Sequence, residues 1–80
     1  MKAGILIVDL HGKSQYQAQA ALDAQLRRAK SGVYRIRAVH GYHQGTALRD
    51  MIRREYASRT QVLRLDCSEP GATDLVLREF

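Results

Sequence analysis

The chain is 80 residues long and 45% apolar, with thirteen Lys and Arg against eight Asp and Glu, a formal charge of +5. At that length a single domain over residues 1–80 is expected, near the size at which one core just suffices for independent folding, and a second domain is excluded. The aliphatic run Ile5-Leu6-Ile7-Val8 is far shorter than the roughly 18 apolar residues of a membrane span and no small-residue cleavage pattern follows it, so no membrane association is expected and a cytoplasmic location is.

The basic balance, with a pI near 9.9, favours polyanionic partners through counterion release and steering. A single cysteine, Cys67, has no partner for an internal disulfide and no spaced neighbour for a metal or redox motif, so it is read as a thiol without chemistry.

Residues 4–9 form a short aliphatic run bounded by turn residues and read as a buried strand. A helix follows over residues 15–30. Ser14 and Gln17 make a capping-box pair, while Ala18, Ala21, Leu22, Leu26 and Ala29 recur at helical spacing. Arg27, Arg28 and Lys30 oppose the negative end of its dipole, Gly32 suits a left-handed position after its end, and Asp23 is spaced to pair with Arg27.

Residues 33–39 alternate, with Tyr34, Ile36 and Ala38 on one face and Arg35 and Arg37 on the other, as in a half-exposed strand. After a loop, Leu48, Met51, Ile52, Glu55 and Tyr56 define a second amphipathic helix, capped by Thr46 and ending near Ser58. Residues 61–66 alternate Leu63 and Leu65 against Arg64 and Asp66, Pro70-Gly71 makes a turn, and residues 73–79 form a last strand through Leu75 and Leu77.

The order βαβαββ predicts an α/β two-layer sandwich: a mixed four-stranded sheet with both helices on one face. The two helical crossovers make the first strands parallel, and the short Pro70-Gly71 connection makes the last two antiparallel. Arg35, Arg37, Arg64 and Arg78 would then lie on the other face, open to solvent or to a partner.

Chemistry-bearing residues gather at the ends of the first two strands, where α/β folds place their sites. Asp9 and His11, two apart, would project from one face of the first strand, with Gly12 turning the chain. His40-Gly41 ends the second strand in the same manner. Gly45-Thr46 then opens a helix whose free N–H groups and positive dipole end suit a phosphate, and Arg49 would reinforce it. Lys13 and Arg53 could follow a bound backbone, adding affinity and little sequence preference. Gly12-Lys13-Ser14 imitates the end of a phosphate-binding P-loop, but Ile7 stands where that motif needs its first glycine, which excludes the nucleotide-triphosphatase reading.

Asp9-Leu10-His11-Gly12 before a helix, His40-Gly41 after the second strand, and Gly45-Thr46-Ala47-Leu48-Arg49 opening the second helix resemble, in this order and over essentially the whole chain, the Smr (small MutS-related) domain family. That resemblance implies a fold like the C-terminal domain of translation initiation factor three. It also implies nucleic-acid binding and endonuclease activity, either nicking of DNA or cleavage of RNA. One loop departs from the family pattern. There another glycine follows His-Gly after one residue, whereas here Tyr42 and His43 intervene, so Tyr42 is read as a stacking residue for an unpaired base and His43 as an imidazole in place of a backbone donor.

Phosphodiester cleavage needs a base, an acid and donors for the phosphorane oxygens. The catalytic candidates are therefore Asp9, His11, His40 and His43, with His11 as acid or base and Asp9 either orienting its imidazole or acting directly. The nucleic-acid-binding candidates are Gly12, Lys13, Gly41, Tyr42, Gly45, Thr46, Arg49 and Arg53. On RNA the neighbouring 2′-hydroxyl can attack, so no cofactor is required; on DNA, water must attack and a divalent ion, Mg or Mn, becomes useful. No structural metal site is expected, because His40 and His43 are three apart in a loop and no HxxxH or Cys pair exists. Besides an endonuclease on RNA or single-stranded regions, two alternatives stand: a non-catalytic nucleic-acid-binding module, and a protein adaptor that uses the open sheet face.

Overall fold

In the computed structural model, which describes residues 4–29, 31–41 and 46–79, the elements follow the order β1 (Ile5–Asp9), α1 (Gln15–Arg28), β2 (Arg35–Val39), α2 (Thr46–Tyr56), β3 (Arg64–Asp66) and β4 (Ala72–Val76). The sheet order is β1-β2-β4-β3. β1 and β2 pair in parallel, while β4 runs antiparallel to both β2 and β3. This is the expected mixed four-stranded sheet with two helices.

Period-two alternation divides each strand between two environments. Leu6 and Val8 of β1, Ile36 and Ala38 of β2, Leu65 of β3 and Leu75 of β4 face the helices. There they pack with Ala18, Leu22 and Leu26 of α1 and Leu48, Met51, Ile52 and Tyr56 of α2. The two helices are joined by a polar clasp. The Tyr56 hydroxyl donates toward Asp23 Oδ1 at 2.7 Å and the Gln19 carbonyl at 3.0 Å, and burial, with Asp23 beside it, pushes the phenol upward from its usual range.

The capping box forms as expected, Ser14 Oγ accepting from the Gln17 N–H at 3.1 Å and Gln17 Oε1 from the Ser14 N–H at 3.0 Å. Other local expectations are corrected. Helix α1 ends at Arg28, with Ala29 in an extended conformation, and Gly32 does not take the left-handed one. Asp23 pairs with Arg59 at 3.2 Å rather than with Arg27, because packing against α2 presents it to that helix's C-terminal end. Thr46 is the first residue of α2 rather than its cap. Ahead of β3, Val62 is buried in the core, whereas Leu63 is exposed.

The face away from the helices is closed over by charge. Asp74, its side chain only 3% exposed, accepts two hydrogen bonds from Arg37, at 2.9 and 3.0 Å, and one from Arg35 Nη1 at 2.8 Å. Arg35 also reaches Asp66 Oδ2 at 2.9 Å. Arg64 pairs with Glu79, and Arg78 donates to the Val33 carbonyl. The arginines that alternate along this face are thus mostly bound to the protein's own carboxylates, a charge-assisted network that holds β2, β3 and β4 in register.

Candidate active site at the ends of the parallel strands

Strand β1 stops at Asp9, and the next four residues build the first wall of the site. Leu10 is fully buried and donates its N–H to the Val39 carbonyl at 2.8 Å, which anchors the exit of the strand. The Lys13 N–H then bonds the Leu10 carbonyl at 3.0 Å, and Gly12 takes φ +80°, so Leu10 to Lys13 form a tight turn with glycine where a positive φ is required. His11 is carried at the exposed tip of that turn.

Asp9 does not meet His11 as the strand rule predicted. Its Oδ1 accepts from the His11 backbone N–H at 2.9 Å, a side-chain turn that Asp favours two residues before the donor. Strand alternation fails here because the chain has already left the sheet. The carboxylate fixes the backbone that carries the imidazole, and among the described residues the imidazole itself makes no hydrogen bond.

The second wall comes from β2. His40 is 5% exposed, with Nδ1 3.0 Å from the Gly41 carbonyl and Nε2 3.0 Å from Thr73 Oγ1. A carbonyl can only accept, so Nδ1 carries a proton; in the neutral ring Nε2 then accepts from the Thr73 hydroxyl. Both nitrogens are engaged within the fold. The His40 and Gly41 N–H groups both bond the Gly71 carbonyl, at 2.9 and 2.8 Å, and staple the end of β2 to the start of β4.

Gly41, at φ +83°, brings the walls together: a Cβ placed there would sit 3.5 Å from His11 Cδ2. The His11 ring therefore lies against the Gly41 backbone. Gly41 also lines a cleft of about 220 Å³, bounded by His40, Thr46, Arg49 and Arg53 and by the β3–β4 loop through Cys67, Glu69 and Gly71. That volume is below the roughly 300–1,000 Å³ of small-molecule pockets and suits a group the size of a phosphodiester.

Helix α2 gives this cleft its charge. Arg49 and Arg53, four apart, share a helix face, and the first turn of α2 contains no acidic residue. Arg49 has only its exposed neighbour Asp50 as an ion-pair partner, at 3.3 Å, and Arg53 has none among the described residues.

Of the expected site residues, the structure thus brings together His11, His40, Gly41, Thr46, Arg49 and Arg53. Gly12 and Lys13 flank them, exposed, with open space above Gly12. Tyr42, His43 and Gly45 lie outside the described residues. Among the described residues, no three His, Cys, Asp or Glu side chains are grouped to hold a metal ion. Sequence reasoning missed Thr73 and the β3–β4 loop; the signal was a polar pair, Thr73-Asp74, inside an otherwise apolar strand.

The family model of the Smr domain matches residues 8–74. The chain belongs to the Smr domain family. The crystal structure of the Smr domain of Thermus thermophilus MutS2 is similar to it, with a TM-score of 0.80 and 30% identity over 92% of this chain and 99% of that one. No curated protein matches significantly. The matched span begins at Val8 and ends at Asp74, so the turn that carries His11 and the residues that line the cleft all lie within it. This Smr domain contains no helix, among the described residues, that is long and apolar enough to cross a membrane.

Proposed function

We propose that this Smr domain binds nucleic acid and cleaves its phosphodiester backbone, acting on RNA or flexible single-stranded regions in preference to intact duplex. The observation that carries the reading is the exposed His11 imidazole lying against Gly41, a residue that itself lines a cleft with two arginines of α2. A phosphate in that cleft would meet Arg49, Arg53 and the N-terminal end of α2, which can stabilise the charge that grows on the phosphorane oxygens. His11 then serves as base toward a 2′-hydroxyl or as acid toward the leaving oxygen.

His40 takes a different part in this reading. With both nitrogens engaged, it positions Gly41 and Thr73, and Asp9 likewise positions His11 through the backbone. The second proton carrier is then assigned to His43, three residues beyond His40. For the attack of water on DNA, a Mg or Mn ion would serve.

The engagement of Asp9 and His40 also favours a second reading, a module that binds nucleic acid without cutting it. Incubation with labelled single-stranded RNA, single-stranded DNA and duplexes, with and without EDTA, separates the two. The nuclease reading expects RNA products ending in 2′,3′-cyclic phosphate that persist in EDTA, lost in His11→Ala while most binding remains. EDTA-sensitive cleavage with ordinary hydrolytic ends would assign the reaction to metal-assisted water. Cleavage retained in a purified Asp9→Ala, His11→Ala double variant would overturn the assignment of His11, and oligonucleotides bound but left intact would establish the binding module.

A further inference from the structure

We infer that Tyr16, on the first turn of α1, is a stacking platform for an unpaired base of a single strand whose phosphate occupies the cleft. The inference rests on the nucleic-acid reading above and extends it to the basis of substrate choice. Tyr16 is 82% exposed, against 60% for Leu63 and 51% for Ile7, the other large apolar side chains in solvent among the described residues. At 3.6 residues per turn it stands roughly 200° around the helix from Ala18, which leads the buried stripe of Ala18, Leu22 and Leu26. It cannot be a core residue that has merely lost some cover.

Its position follows from topology. Helices α1 and α2 each follow a strand of the parallel pair β1 and β2, so both begin at the end of the sheet that carries His11, Gly41 and the cleft. Gln19 and Asp23, one and two turns beyond Tyr16, receive the Tyr56 hydroxyl of α2. Tyr16 therefore lies on the shoulder of α1 turned toward α2, at the end where α2 starts. A shallow groove of about 390 Å³ runs from it past Gln19 and Asp23 to Arg27.

The chemistry of that surface selects the occupant. An aromatic face with an amide beside it matches a nucleobase, which offers a π-face and hydrogen-bonding edges; an apolar peptide would find one ring and polar walls. The charge is complementary to a polyanion. Lys13 precedes α1, Arg27 closes the groove, and neither helix has an acidic residue in its first turn. The one carboxylate in the groove, Asp23, is already held by Tyr56 and by Arg59 at 3.2 Å. In a duplex the base faces are covered by their neighbours, so this contact favours single strands.

The test compares wild type, Tyr16→Ala and Tyr16→Phe by fluorescence anisotropy on a single-stranded RNA and on a hairpin duplex of the same composition. A 2-aminopurine in the single strand reports stacking. Tyr16→Ala is expected to weaken single-strand binding about tenfold and to abolish the 2-aminopurine quench, with duplex binding unchanged and Tyr16→Phe close to wild type. Equal affinity of Tyr16→Ala and wild type for the single strand would overturn the assignment and leave the function reading standing. An equal loss on both substrates would show a role other than stacking and overturn it as well. A wild-type protein that binds neither substrate would overturn the function reading and this inference together.

Discussion

Arginine has opposite fates on the two charged surfaces of this domain. On the open sheet face, Arg35 and Arg37 close on the buried carboxylate of Asp74, and Asp66 takes the remaining reach of Arg35. At the cleft, Arg49 has one exposed neighbouring partner and Arg53 has none among the described residues. The first arrangement spends its charge inside the fold and leaves little field for a ligand. The second leaves guanidinium groups along one face of α2 without a buried carboxylate to hold them, where they line the cleft.

Substitutions that separate folding from binding sharpen this contrast. Asp74→Ala should have the largest effect on stability. It leaves Arg37 without its carboxylate and Arg35 with Asp66 alone, and because both guanidinium groups still reach water the cost is about 3 kcal/mol, the lower end for a broken buried pair. Urea denaturation measures that loss, while the affinity of the folded protein for single-stranded RNA should not change. Arg49→Ala with Arg53→Ala should do the reverse. Stability stays within about 0.5 kcal/mol, as for exposed positions, but the slope of log affinity against log salt becomes less steep by about 1.4, from two lost single-strand phosphate contacts.

The smallest effect belongs to acid. Hydrogen bonds from Ser68, with a further one from Arg35, hold the Asp66 carboxyl down at about 2, against 3.8 for an ordinary aspartate. A depressed folded value means that the contribution is fully present above the unfolded value and is lost as pH falls through the folded one. Stability attributable to Asp66 should therefore decline between pH 3.8 and about 2, and thermal melts of Asp66→Asn should lack that part of the acid limb.

Much of the site was legible because its positions are set locally. The capping box at Ser14 and Gln17, the two crossovers and the ends of both parallel strands follow from spacing within a few residues. What escaped depends on events that spacing does not encode. The partner of Asp9 was misassigned because the chain turns one residue after β1, converting a strand-face neighbour into a backbone acceptor. Asp23 was expected to pair with its helical neighbour Arg27, and helix packing instead presents it to Arg59. The strand over residues 73–79 was read through Leu75 and Leu77 alone, with no part given to Thr73 or Asp74; insertion of β4 between β2 and β3 buries both, one against His40 and the other between two arginines.

The two surfaces can be told apart directly by following backbone amides in ¹H–¹⁵N correlation spectra while single-stranded RNA is added. The account predicts that Gly12, Gly41, Thr46 and Arg49 shift in a salt-dependent manner while Arg35, Arg37 and Asp66 stay in place. Shifts centred on the sheet face, with the amides around His11 and α2 unmoved, would contradict it.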